Sequence, residues 1–366
     1  MPQSPPEEEP TDLFVALSPE RVLAAVEASG LAITTACFPL NSYENRVYLM
    51  SLRDGGRVIA KFYRPGRWST AQILEEHRFL GELAAADIPV CGVLPFPDGE
   101  TLKVAHGVAY ALFEYRPGQP LGDLTDHLFE RVAMMAARIH NVGAQARFAA
   151  RRTLTVHDWI RRPVGELRLG PLLPAALGRR YQAAADRIAD AAEARLEGLA
   201  GLRLHGDLHR GNLLLDGGVL QVLDLDDACT GPAIQDLWLM LSGPPGERER
   251  QLGVMLDGYE RFRPFDRREL AALDVLPAMR RIHYAGWITR RWEDPLFPKT
   301  WPHYEEPTFW VQEVGELEAI AAGLRPFTRA ARGAAPSEGL ADVRLDHAAD
   351  PWSEELTEKD YFWDLD

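Results

Sequence analysis

Cysteine is scarce. Cys37, Cys91 and Cys229 form an odd, dispersed set in 366 residues, which argues against a disulfide framework and suits a reducing compartment. No apolar run reaches the length needed to span a bilayer, and Met1 to Pro10 carries three acids without a basic or apolar signal region. No membrane partner is therefore expected, and the location expected is the cytoplasm. Basic residues are in deficit, 40 Lys and Arg against 54 Asp and Glu for a net charge of −14, which argues against nucleic acid as a partner. The deficit is concentrated at the ends. Residues 333–366 hold ten acids against Arg344 and Lys359, so with the three acids of the first ten residues the ends carry −11 and the body about −3. The chain has no G-x-G-x-x-G phosphate loop and no internal repeat. His205 and His209 have the i, i+4 spacing of a metal pair, but no third His or Cys lies near enough in sequence to complete a zinc site.

What is present is concentrated in residues 205–227. His205-Gly206-Asp207-Leu208-His209-Arg210-Gly211-Asn212 is followed by an apolar run, a Gly-Gly turn at 217–218, and Val222-Leu223-Asp224-Leu225-Asp226-Asp227. Transfer of a phosphoryl group needs a residue that orients the acceptor hydroxyl, ligands for magnesium, and cations around the phosphates. Asp207 meets the first need. Asn212 and Asp224 meet the second, because hard Mg²⁺ prefers oxygen ligands. The offset from Asp207 to Asn212 is that of H-R-D-x-x-x-x-N in protein kinases. The alternation of Val219 to Asp226 predicts a strand with Val222, Asp224 and Asp226 on one face. Cys229 reads as a small buried residue, and Asp236, on an otherwise apolar helix, as an acceptor for catalytic-loop N–H groups.

Upstream, Arg57 to Tyr63 alternates as a strand, with Val58, Ala60 and Phe62 on one face and Ile59, Lys61 and Tyr63 on the other. A lysine inside such a strand needs an anionic partner. Thr70 to Ala85 has helical period with Glu76 on its apolar stripe and Glu75 facing away, so Glu76 is the expected partner. Residues 108–116 read as an apolar strand ending before Pro117-Gly118. Ser42 lies in a polar turn, Asn41 to Asn45, between two strand-like runs.

H-G-D-L-H-x-G-N with V-L-D-L-D-D-A resembles the aminoglycoside phosphotransferase and choline kinase superfamily. Within it, the blocks 40–48, 61–65, 73–77, 224–228 and 290–295 resemble the stress response kinase A family of bacterial serine/threonine protein kinases, in the right order over roughly residues 30–325. The resemblance implies an α+β, two-lobed protein-kinase-like fold with a small α/β N-lobe and a mainly helical C-lobe. It implies an ATP- and Mg²⁺-dependent kinase acting on serine or threonine of a protein in a stress response, itself a phosphoprotein. Asp207 would be the catalytic base, Asn212 and Asp224 the magnesium ligands, Lys61 the phosphate cation set by Glu76, Ser42 a phosphate contact, and Glu114 and Tyr115 the hinge that meets adenine. Two departures stand out. Gly206 replaces the Arg of H-R-D, so control through an activation-loop phosphate is not expected, and Leu225-Asp226 replaces the Phe-Gly of D-F-G.

The expected organisation is a disordered leader at 1–12, a nucleotide-binding N-lobe at 13–115, a catalytic C-lobe at 116–327 and an acidic tail at 328–366. Helices are expected at 128–140, 175–199, 247–262, 266–293 and 308–324. The tail either is disordered, the favoured reading, or folds over the basic, aromatic stretch Arg280 to Trp292 as an autoinhibitory or docking peptide. Residues 280–310 are expected on the acceptor side, and a monomer is favoured. The nearest alternative is a small-molecule phosphotransferase acting on an aminoglycoside, choline or homoserine-like alcohol. A metallophosphoesterase lacks its downstream His motif, and a non-catalytic nucleotide-binding scaffold is disfavoured by the intact Asp207, Asn212, Asp224 and Lys61.

Overall fold

The computed structural model describes residues 14–40, 42–325 and 327; the leader and the acidic tail, with Asn41, lie outside the described residues. In chain order the elements are α1 (Pro19–Ala28), β1 (Ile33–Leu40), β2 (Arg46–Leu52), β3 (Arg57–Phe62), α2 (Thr70–Ala85), β4 (Val93–Leu94), β5 (Lys103–Ala105), β6 (Val108–Glu114), β7 (Gln119–Pro120), α3 (Asp126–Gly143), α4 (Arg162–Leu169) and α5 (Gly178–Leu196). Then come β8 (Leu202–Leu204), β9 (Leu213–Asp216), β10 (Val219–Val222), β11 (Cys229–Gly231), α6 (Gln235–Trp238), α7 (Pro245–Glu260), α8 (Leu276–Arg290), α9 (Leu296–Thr300) and α10 (Pro307–Gly323). The described chain forms two compact units, one of residues up to 121 with 211–226, the other of 122–210 with the residues from 227 on. No helix among the described residues is long and apolar enough to cross a membrane.

The first unit is built on an antiparallel sheet in the order β1-β2-β3-β6-β4, with β5 also paired to β6. The period-2 rule sorts its two faces. Val58, Ala60 and Phe62 from β3, Tyr48 and Met50 from β2, and Val108, Tyr110 and Leu112 from β6 share a core with Val22, Ala25 and Val26 of α1. Phe62 stacks on Tyr110 at 4.8 Å, whose hydroxyl donates to the Ala25 carbonyl at 2.9 Å. The opposite face carries Val47 and Ala111 beside Lys61, and Phe113 beside Ile59. Helix α2 begins at a capping box in which Ser69 and Gln72 satisfy each other's backbone.

A second sheet, β10-β9-β7, belongs to the same unit. Gly217 (φ +53°) and Gly218 (φ +84°) make the two-residue turn of its hairpin; two successive positive φ values suit the right-handed strand twist and favour glycine. Val222 also bridges to Val90, its N–H donating to the Pro89 carbonyl at 2.8 Å. The strand expected over 219–226 stops at Val222, because Asp224 takes the left-handed conformation, φ +46°.

The second unit is mainly helical. Helix α3 packs along α7, α4 along α8, and α5 along α10, while β8 and β11 form a two-stranded ribbon. The single helix expected over 266–293 is two: a 3₁₀ segment, Arg267–Asp274, then α8, with the break at Val275 and Pro277 in the first turn of α8. Tyr284, Trp287, Phe297 and Trp301 pack ring against ring at 5.0–6.1 Å, so much of the aromatic stretch in 280–310 serves as core. Helix α3 ends against β8. The Arg203 side chain donates to the carbonyls of Val142 and Gly143, and a Cβ at Gly143 would lie 2.1 Å from the Arg203 carbonyl oxygen. Gly143→Ala is expected to cost about 1–3 kcal/mol, the usual range for overpacking, read as a lower urea midpoint at unchanged slope.

Candidate active site

Lys61 is the chemical centre of the first unit. It lies mid-strand in β3 and is buried, so its ammonium must be paired. Its Nζ reaches Asp224 Oδ1 at 2.9 Å, Asp226 Oδ1 at 3.1 Å and Glu76 Oε1 at 3.4 Å. Burial by itself would lower the lysine pKa, but Asp224, Asp226 and Glu76 outweigh it and hold the ammonium well above its ordinary value. Oxygens of the three carboxylates lie within 4.8 Å of one another. Asp226 also meets Arg67 at 3.2 Å and accepts from Asn45 Nδ2 at 3.2 Å. Glu44 joins Arg67 at 3.1 Å and Arg64 at 3.6 Å. Glu75, expected to face away from the helix's apolar stripe, is buried as well.

Through Lys61, Glu76 and Asp224 this cluster borders a cleft of about 720 Å³ including its open mouth. Leu40, Val47, Ile59, Leu80, Phe113, Leu223 and Leu225 wall it, and Lys61, Glu76, Glu114, Tyr115 and Asp224 line it. Five of the candidate residues thus meet at one cavity. Ser42 does not line it; its Oγ accepts the Asn45 N–H at 3.3 Å and so braces the β1–β2 turn. The Glu114 N–H donates to the Gly92 carbonyl at 2.9 Å, which confines any hinge role of Glu114's backbone to its carbonyl. Asn212 is buried, and its carbonyl accepts the Leu223 N–H at 2.9 Å, so the hairpin brings Asn212 and Asp224 to the same end.

Asp207 belongs to the second unit, just beyond β8. Its loop is held by Asp236, which is fully buried on α6. The Asp236 carboxylate accepts the His205 and Gly206 N–H groups, each at 2.8 Å, and pairs with His140 Nε2 at 3.0 Å. His140 Nδ1 in turn meets the Tyr259 hydroxyl at 2.9 Å. Asp236 thus accepts from the loop N–H groups, as its place on an apolar helix predicts. Gly206 has φ +89°, and a Cβ there would stand 2.1 Å from the Asp227 carbonyl oxygen. No side chain fits, which is the local reason that this position lacks the arginine of H-R-D. Cys229 is buried next to this loop, and burial raises its thiol pKa.

Asp207 itself meets Arg280 Nη1 through Oδ1 at 2.7 Å and His209 Nε2 through Oδ2 at 3.4 Å. Burial would raise its pKa, but Arg280 and His209 overcome that and hold the carboxyl well below the usual range.

The model of the phosphotransferase enzyme family matches residues 37–273, more than half of the chain. The chain belongs to the phosphotransferase enzyme family. This phosphotransferase is 37% identical over 302 residues to stress response kinase A of Escherichia coli (strain K12), covering 82% of this chain and 91% of that one. It is 38% identical over the same span, with the same coverage, to "serine/threonine protein kinase RdoA" of Salmonella typhimurium (strain LT2). Among solved structures, a microcompartment-associated aminopropanol kinase matches with a TM-score of 0.65 at 19% identity, over 83% of this chain and 99% of that one. The amicoumacin kinase hAmiN, in complex with AMP-PNP and Ca²⁺, matches with 0.64 at 17%, over 82% and 93%. These likenesses establish the kinase-like α+β fold, with an antiparallel-sheet N-lobe and a helical C-lobe.

The oxygen donors of this phosphotransferase fit a hard divalent cation. Asn212 and Asp224 offer an amide and a carboxylate oxygen, and Asp224 is the open member of its cluster, its side chain 38% exposed. The nearby carboxylates of Glu76, Asp224 and Asp226 outnumber Lys61 and Arg67. The sequence marks Asp226 only by the strand parity it shares with Asp224, and it does not mark Arg67. Arg280 was assigned to a surface without a partner, because nothing in sequence ties α8 to residue 207.

Two outcomes follow for the second unit. Asp236→Ala removes the acceptor of two buried N–H groups and is expected to cost about 2–5 kcal/mol in a urea titration. The Asp207–Arg280 pair has a depressed carboxyl pKa, so its stabilisation is complete above the unfolded value of ~3.9 and is lost as pH falls through the lower folded value. Arg280→Gln should therefore unfold at lower urea than the parent at pH 7, with the gap closing as the pH drops below about 4.

Proposed function

We propose that this phosphotransferase is an ATP- and Mg²⁺-dependent serine/threonine protein kinase of a bacterial stress response. The observation that carries the reading is the apolar cleft lined by one buried ammonium that pairs with three carboxylates. Apolar walls suit a purine, Glu114 and Tyr115 line the same cleft, and a paired lysine suits nucleotide phosphates. Asn212 and Asp224 would hold Mg²⁺, which supplies charge neutralisation of the phosphates when bound. Asp207 orients the acceptor hydroxyl and takes its proton as the oxygen attacks the γ-phosphorus; the bond to the β,γ-bridging oxygen breaks and ADP leaves. Lys61, aligned by Glu76, steadies the phosphates, and Ser42 acts through the turn it braces. The protein acceptor is supported by the name of the Salmonella relative, a serine/threonine protein kinase. With glycine required at 206, activation through an H-R-D arginine has no counterpart, and activity is expected to survive phosphatase pretreatment.

A second reading, a small-molecule phosphotransferase, is favoured by the names of the structural neighbours, an aminopropanol kinase and an amicoumacin kinase. The catalytic residues would be the same, so the acceptor decides between the two. Purified protein incubated with Mg²⁺ and γ-labelled ATP, alone and with a generic protein substrate, is expected to put label on serine or threonine. Asp207→Asn should lower the rate by about 10²–10⁴-fold while nucleotide binding is retained. Label on small alcohols with none on protein would overturn the protein-kinase reading in favour of the second.

A further inference from the structure

We propose that Arg280 reads an anionic group on the acceptor, so that the preferred acceptor is a serine or threonine flanked by carboxylate or phosphate groups. The inference rests on the protein-kinase reading and deepens it. Arg280 projects from α8, and its Nη1 donates to Asp207 Oδ1 at 2.7 Å. The two side chains are 15% and 24% exposed, so the pair opens to solvent and is not sealed in the core. With His209 at Oδ2, each oxygen of the candidate base has its own partner.

A carboxylate held this way is well oriented but weakly basic, and an incoming hydroxyl must share it with the guanidinium. An anion arriving beside the hydroxyl relieves that competition. Arginine presents five N–H donors in a planar fork, which matches carboxylate and phosphate and allows one guanidinium to turn from Asp207 toward a new partner. His283, one turn along α8, stacks on Trp159 at 5.0 Å. Burial first, and then Arg290, Arg152 and Arg280, keep its imidazole neutral, with a pKa lowered to about 3. A cationic acceptor at Asp207 would be repelled by the Arg280 guanidinium already paired with it.

The test uses the full-length protein, Mg²⁺, γ-labelled ATP and three peptides that share one serine and differ only in having acidic, neutral or basic flanks. The wild type is expected to favour the acidic peptide by about tenfold or more in kcat/KM, the scale of one charge-assisted contact, with the basic peptide slowest. Arg280→Gln should bring the three to within about twofold of one another, and Arg280→Lys should keep part of the preference, because it retains the charge but loses the fork. Equal rates on the three peptides in the wild type, or an acidic preference unchanged in Arg280→Gln, would overturn the proposal; the wild-type ratio decides even where a variant folds poorly. If no peptide takes label, the protein-kinase reading fails separately, and acceptor charge is then read on small alcohols. There, preference for a cationic amino alcohol over an anionic hydroxy acid overturns the role given to Arg280, and the reverse preference upholds it for a different acceptor.

Discussion

A charged lysine in the middle of a buried strand is the constraint on which the first unit turns. An unpaired ammonium in an apolar setting would lose its proton or unfold its surroundings, so Lys61 obliges the fold to bring carboxylates to it. It draws one from helix α2, Glu76, and two from the segment after β10, Asp224 and Asp226. That single requirement explains why α2 presents an acid to the sheet. It also explains why the β9–β10 hairpin, distant in sequence, belongs to the same unit as β3. The alternation of β3 does the rest, since the residues on either side of Lys61, Ala60 and Phe62, point into the hydrophobic core and anchor the strand.

The second unit solves an analogous problem with the charges reversed. In the loop that carries Asp207, Asp236 accepts the N–H groups of the two residues before Asp207. Burying Asp236 is tolerable because His140 and those two donors surround it, and Tyr259 fixes His140. The conformation this imposes at residue 206 excludes any side chain. That geometry leaves no room at this position for the arginine of the H-R-D pattern of protein kinases.

Much of this was legible in the sequence where a short-range rule controls the outcome. The alternation of 57–63 and the helical period of 70–85 correspond to β3 and α2, and a lysine and a glutamate on buried faces could be matched by charge alone. Asp236 was legible for the same reason, as an acid with no aqueous neighbour. What failed depended on a backbone choice or a distant contact. Alternation carried the expected strand through 226, but Asp224 turns left-handed, and no pattern of side-chain types announces one positive φ at an aspartate. Pro277 in the first turn of α8 was compatible with either a kink or a new start, and the 3₁₀ segment before it decided for the latter. The Arg280–Asp207 pair spans 73 positions in sequence.

The left-handed Asp224 ties these points to chemistry. A non-glycine residue at φ +46° holds a conformation that aspartate tolerates better than most, at a cost of order 1–3 kcal/mol. Glycine would remove the strain but also the carboxylate, and a β-branched residue would clash. The conformation persists because the chain is fixed on both sides, by Leu223 on Asn212 and by Asp226 on Lys61, Arg67 and Asn45. With the strand ended at Val222, this carboxylate stays exposed while Asp226, two residues on, is buried. In the proposed reaction that division matters. Asp224 contributes the largest of the three charges on Lys61, but it is the open member, and were it to turn toward Mg²⁺ the ammonium would keep its pairs with Asp226 and Glu76.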